Sequence, residues 1–201
     1  MISIVDYGVG NVANVERALR RAGATAVRMT TRSDEILASR AVVLPGVGHF
    51  GHCARELTAR GLDGPVREAR ARRIPLLGLC VGAQLFFEAS EEDESVTGLG
   101  FLRGVVRRLR GAVRVPHTGW NTVRARRKHP WLDGLADGAH FYFVHAYAPE
   151  AGGGGVLATT DHGAEFGSIV GDDGILGLQF HPEKSSHAGT RLLEGFVRGI
   201  R

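Results

Sequence analysis

The sequence predicts an α/β fold of three layers, with a central, mostly parallel sheet, helices on both faces and an antiparallel extension. Three observations predict it. Near-continuous apolar runs at Ile2-Ser3-Ile4-Val5, Ala41-Val42-Val43-Leu44 and Ile74-Pro75-Leu76-Leu77-Gly78-Leu79 read as strands buried on both faces. Each is followed by a glycine turn and an amphipathic stretch, the alternation that gives parallel crossovers. Between Gly104 and about Leu178 the pattern changes to short strands separated by Gly and Pro, which suits antiparallel pairing.

After the first strand and Gly8-Val9-Gly10, a helix is expected from near Asn11. Val12, Val15, Ala18, Leu19 and Ala22 fall on one face of it, and Gly23 supplies the C-terminal stop. Ala41–Leu44 should lead to a helix after Gly51, and Ile74–Leu79 to a helix running through Phe86 and Phe87. Phe141-Tyr142-Phe143-Val144 and Val156-Leu157-Ala158-Thr159 are expected strands of the extension, and Gly152 to Gly155 a flexible loop. From Ser185 a last helix should lay Leu192, Leu193, Phe196 and Ile200 on the sheet.

At 201 residues, with no long linker and no internal repeat, residues 1–201 are expected to form a single domain. The opening residues lack a basic leader region and no apolar run approaches a membrane span, so a cytoplasmic location and no membrane partner are expected. Two cysteines, Cys53 and Cys80, rule out a disulfide scaffold and suit thiol chemistry in a reducing compartment. The histidines show no ligand spacing, so no metal is expected, and no cofactor either. The formal charge is +4, with arginines at 103, 107, 108, 110 and 114 and again at 124, 126 and 127 beside Lys128. They alternate with Val105, Val106, Leu109, Val113 and Val115 as the wet face of antiparallel strands does, without aromatic interleaving, so no nucleic-acid partner is expected.

The chemistry is concentrated at Gly78-Leu79-Cys80-Val81-Gly82, a cysteine between two glycines where a strand runs into a helix. A sharp strand-to-helix turn exposes its central side chain at the carboxyl edge of a sheet, with backbone N–H groups free beside it. That is how a nucleophile is presented, and the helix start favours the thiolate. Far downstream, His181-Pro182-Glu183 places an imidazole and a carboxylate two apart on what reads as an extended segment, both on one face. The carboxylate can then orient the ring and leave its other nitrogen to Cys80. Gly46-Val47-Gly48-His49-Phe50-Gly51 matches a dinucleotide fingerprint in letters only, because Pro45 breaks the strand before it and His49 and Phe50 crowd the phosphate position. Its glycines better suit a turn that aims a backbone N–H at an oxyanion.

Pro45-Gly46-Val47-Gly48, then Gly78-Leu79-Cys80-Val81-Gly82-Ala83-Gln84, then Gln179-Phe180-His181-Pro182-Glu183-Lys184-Ser185, resembles the class I (triad) glutamine amidotransferases. Asp6-Tyr7-Gly8-Val9-Gly10-Asn11, Pro116-His117-Thr118-Gly119-Trp120-Asn121 and Tyr142-Phe143-Val144-His145-Ala146-Tyr147 are similar to the branch that feeds ammonia to a separate cyclase in histidine biosynthesis. The resemblance implies glutamine as substrate and a cyclase partner with a (β/α)8 barrel, joined as a heterodimer. It implies Cys80 as nucleophile, His181 as base and then acid, and Glu183 as the group orienting it. Gly46, Val47, Gly48, Val81, Gln84, Glu92, Ala146 and Tyr147 would bind glutamine or its oxyanion, with the Val81 N–H and one from the Val47-Gly48 peptide forming the hole. Asn11, His117, Trp120, Asn121, Tyr142 and Lys184 would face the partner or the tunnel mouth. A stand-alone cysteine hydrolase would share the Cys80 turn without needing Gln84 or the run from Pro116 to Asn121.

Overall fold

The computed structural model describes residues 1–133 and 135–200. The elements run β1 (Ile2–Val5), α1 (Val12–Arg21), β2 (Val27–Thr30), α2 (Ser33–Leu37), β3 (Ala41–Leu44), α3 (Phe50–Ala59), α4 (Asp63–Ala71), β4 (Leu76–Leu79) and α5 (Val81–Gln84). They continue with β5 (Ala89–Ser90), β6 (Val105–Arg108), β7 (His117–Ala125), β8 (Ala139–His145), β9 (Tyr147–Pro149), β10 (Val156–Asp161), β11 (Glu165–Asp172), β12 (Ile175–Leu178) and α6 (Ser186–Gly199). Short 3-10 turns cover Pro130–Leu132 and Pro182–Lys184.

A nine-stranded sheet in the order β2-β1-β3-β4-β12-β11-β10-β7-β8 organises the molecule. β1 to β4 and β12 pair in parallel, and β11, β10, β7 and β8 continue antiparallel. The expected two-part sheet is therefore present, and its seam at β4 and β12 is where Cys80 and His181 leave adjacent strands. The strands β1, β3, β4 and β12 are buried at every position, because helices cover both faces. Two clusters fill the layers: Leu19, Phe141, Phe180 and Phe196 on one side, Tyr7, Phe50, Phe86 and Phe87 on the other. The alternation expected along Val105 to Val115 forms a strand only over β6, and β6 pairs with β5 and β9 in a second sheet that the sequence did not indicate. Nor did it indicate β2, α2 and α4.

Helix α1 starts where expected, with the Asn11 side chain accepting from the Asn14 N–H, and buries Val15, Ala18 and Leu19. The helix after Cys80 is a single turn rather than one running through Phe86 and Phe87. The Phe86 and Phe87 N–H groups donate three residues back, to Ala83 and Gln84, and the chain turns so that both rings enter the core. Three of the clustered arginines are held by ion pairs: Arg107 with Glu91 and Glu150, Arg110 with Glu91, and Arg126 with Glu165. Among the described residues no helix is long and apolar enough to cross a membrane.

Candidate active site

Cys80 adopts φ 53° and ψ −113°, outside the ordinary regions for a residue with a side chain. Such strain persists only where the surroundings over-determine it. The flanking glycines show how. A Cβ on Gly78 would lie 2.7 Å from Ala83 Cα, and one on Gly82 only 2.0 Å from Leu44 O, so β3 and β4 close on the turn as no larger residue allows. The Cys80 N–H is tied to Leu178 O across the seam at 2.7 Å. Both Cys80 and Cys53 are free thiols.

His181 follows β12 and caps the Pro182–Lys184 turn, so Glu183 lies on a tight turn rather than the expected extended segment. The turn still brings Glu183 Oε1 to 2.8 Å from His181 Nδ1, with both side chains almost fully buried. His181 Nε2 is left without a hydrogen-bond partner on the side of Cys80. Burial pulls the imidazole pKa down, but Cys80 and Glu183 outweigh it and raise it to about 10. The ring is further fixed through its backbone: His181 N–H donates to Tyr142 O at 3.0 Å, and Ser185 Oγ bridges His181 O at 2.6 Å and the Tyr142 N–H at 2.9 Å. Ser185 had no local signal beyond following the triad motif.

These groups share a cleft of about 400 Å³ lined by Asn11, Val47, Gly48, Cys80, Val81, Gln84, Glu92, Val144, His145, Ala146, Tyr147, His181 and Lys184. Larger grooves lie around Arg126, His129 and Leu132 and beside the glycines 152–155, but neither is lined by a cysteine. Most of the expected glutamine-site residues thus come together; Gly46 adjoins the cleft through its carbonyl. That carbonyl accepts from the Val81 N–H at 3.3 Å, while the Val47 carbonyl is taken by Cys53 Sγ at 3.4 Å. The peptide that faces Val81 is therefore Gly46-Val47, one earlier than the sequence suggested. Glu92 also holds the start of α3, accepting from the Phe50 N–H at 2.7 Å.

The residues expected at a partner face divide. Trp120, 53% exposed, meets Tyr142 edge to face, and Lys184 Nζ lies 5.9 Å from the centre of the Tyr142 ring. Val144 and Val47 add exposed apolar surface. Asn11 and Lys184 reach the cleft itself. His117 is a correction: it is buried between Phe143 and His162 and lies 3.0 Å from His145 Nε2, because alternation along β7 turns it away from the Trp120 side. Asn121 points the same way and bonds His117 and Asp161 O. Among the described residues no group of three or more His, Cys, Asp or Glu could hold a metal ion.

A family model described as glutamine amidotransferase class-I matches residues 3–200, and the chain belongs to that family. Solved structures share the fold. A glutamine amidotransferase crystal structure superposes with a TM-score of 0.76 at 22% identity, covering 98% of this chain and 97% of that one. A putative GMP synthase protein from Thermoplasma acidophilum gives 0.71 at 21%, with 99% and 92% covered. Within the family the chain groups with proteins named imidazole glycerol phosphate synthase subunit HisH. It is 44% identical to that of Salinibacter ruber, with 98% of this chain and 94% of the relative covered. It is 43% identical to that of Moorella thermoacetica (100% and 95%) and 41% to that of Dehalococcoides mccartyi (98% and 97%).

Proposed function

We propose that residues 1–201 act as one glutaminase domain of an imidazole glycerol phosphate synthase. It hydrolyses glutamine to glutamate and ammonia and passes the ammonia to a cyclase subunit with a (β/α)8 barrel. That partner would convert the aminoimidazole ribonucleotide precursor PRFAR to imidazole glycerol phosphate and AICAR in histidine biosynthesis. The observation that carries the reading is the strained Cys80 turn opening into the same cleft as the buried His181-Glu183 pair.

Glutamine enters with its side-chain amide over Cys80. The sulfur forms a bond to the amide carbon, and the carbonyl electrons move to oxygen. His181, kept protonated by Glu183, gives its Nε2 proton to the departing nitrogen, so ammonia leaves and a glutamyl thioester remains. The neutral ring then takes a proton from water, which attacks the thioester and releases glutamate and the Cys80 thiolate. In the resting chain the Val81 N–H is occupied by Gly46 O, so the oxyanion has no free donor there. Rotation of the Gly46-Val47 peptide would free that N–H and bring a second one to the site. A missing oxyanion donor costs about 3 kcal/mol of barrier, so the isolated chain should be nearly idle. Trp120, Tyr142 and Lys184 supply the face on which the partner would dock and drive that rotation, with the assembly a heterodimer.

The test is glutamate release from the chain alone and with a substrate-loaded cyclase. Release should rise by about a hundredfold or more on loading, and Cys80→Ala should lower it at least about a thousandfold. Equal rates with and without partner would remove the docking part of the proposal; activity surviving Cys80→Ala would remove the rest.

A further inference from the structure

Behind the cleft runs a string of polar side chains that the triad does not include. At its outer end Asn121 Nδ2 lies 3.2 Å from His117 Nε2. His117 Nδ1 lies 3.0 Å from His145 Nε2, and His145 Nδ1 lies 3.0 Å from Tyr147 O. Tyr147 O also accepts from Gln84 Nε2 at 2.9 Å, and Gln84 Nε2 donates again to Gln179 Oε1 at 3.0 Å. Gln179 Nε2 then faces Cys80 Sγ at 3.9 Å.

Each direction in this string follows from the next. A carbonyl oxygen only accepts, so His145 donates from Nδ1 and, as a neutral ring, accepts at Nε2 from His117. His117 accepts in turn from Asn121. Tyr147 O likewise requires the nitrogen of Gln84, whose second hydrogen then requires the oxygen of Gln179. The amide N–H of Gln179 is thereby left aimed at the sulfur. Gln84 and Gln179 are each 2% exposed, so water offers neither of them an alternative partner.

We propose that Gln179 is a positioning residue for Cys80, its carboxamide N–H held against the sulfur so as to favour thiolate over thiol, with its orientation dictated by Gln84 and the Tyr147 carbonyl. A thiolate is a far better acceptor than a thiol, so a fixed donor stabilises the charged form selectively. The other groups facing the sulfur are few. His181, backed by Glu183, brings positive charge from the segment after β12. Tyr7, after β1, and Cys53, on α3, stay neutral: burial raises the Tyr7 hydroxyl well above its usual value and the Cys53 thiol to about 11. Glu92 lines the same cleft but offers the sulfur no N–H donor. Gln179 supplies the neutral donor that none of these provides.

The inference rests on Cys80 as nucleophile, and the experiment separates the two. The full chain, Gln179→Met and Gln179→Glu are alkylated with iodoacetamide across pH, and modification is followed on the Cys80 peptide by mass. Methionine keeps the volume and removes the donor; glutamate adds an opposing charge. Gln179→Met should move the alkylation midpoint up by about one pH unit and slow alkylation at pH 7 about tenfold, and Gln179→Glu should move it further. Using two variants leaves one to decide if the other folds poorly. A lowered melting temperature with midpoints within about 0.2 unit of the parent, which a purely structural role gives, overturns the inference while leaving the glutaminase reading intact. Glutamate release that survives Cys80→Ala sinks both, and is a different result.

Discussion

The two halves of the sheet position their functional groups by different means. In the parallel half the nucleophile is placed by backbone: Gly78 and Gly82 admit atoms where a Cβ cannot fit, and Cys80 is forced into a left-handed conformation between them. Around the antiparallel half, from its seam at β12 to the second sheet, positions are held by side chains. His145 holds Tyr147 O, Ser185 bridges His181 and Tyr142, and Thr160 Oγ1 donates to Thr122 O at 2.9 Å. Backbone placement leaves glycines at fixed spacing, whereas side-chain placement leaves no local mark.

The largest effect should come from breaking the backbone device. Gly82→Ala drives a methyl to 2.0 Å from Leu44 O, backbone that cannot yield without opening β3. Glutamate release should fall about a hundredfold or more, with about 2 kcal/mol lost in denaturant unfolding. Near-normal activity would show that the turn tolerates what its geometry forbids.

A smaller effect is expected from the side-chain device. His145→Leu removes two hydrogen bonds, leaving the His117 Nδ1–H unpaired in the interior and Tyr147 O with Gln84 alone, and costs about 2 kcal/mol at pH 7. Burial holds His145 down to about 3 and His117 to about 4. A histidine with a lowered folded pKa contributes stability above its unfolded value of about 6.5 and loses it as pH falls through the folded one. The parent should therefore lose stability from about pH 6.5 toward pH 3, and the gap to His145→Leu should narrow over that window. Parallel melting curves for the two proteins against pH would show that the ring does not stay neutral.

The smallest effect on the isolated chain belongs to Trp120→Ala, since the side chain lies outside both devices and is 53% exposed. Stability should change by less than about 0.5 kcal/mol, while the cyclase-stimulated rate falls about tenfold or more. A loss of stability with unchanged stimulation would move Trp120 from the docking face into the fold.

Much of this was legible in the sequence for a physical reason. Buried parallel strands are apolar runs and their crossovers end in glycine, so β1 and β3 could be read to the residue and β4 and α1 to within one or two. Cys80, His181 and Glu183 stood out because their motifs are local. β2, with two of its four residues exposed, gave no such run, and β5 is only two residues long. His117 was misplaced because an imidazole in a strand reads equally well as surface or core until the neighbouring strand is known.

The sequence by itself determined the α/β alternation, the strained cysteine turn and the histidine–glutamate pair, because each is encoded within a few residues. The tertiary structure alone decided that Gly46 rather than Val47 presents the carbonyl to Val81, that His117 faces inward, and that Gln179 meets Cys80. Gln84 and Gln179 are 95 positions apart, and Gln179 and Cys80 are 99 apart. Contacts at such separations come from the pairing of β12 with β4, which no local pattern of residues carries.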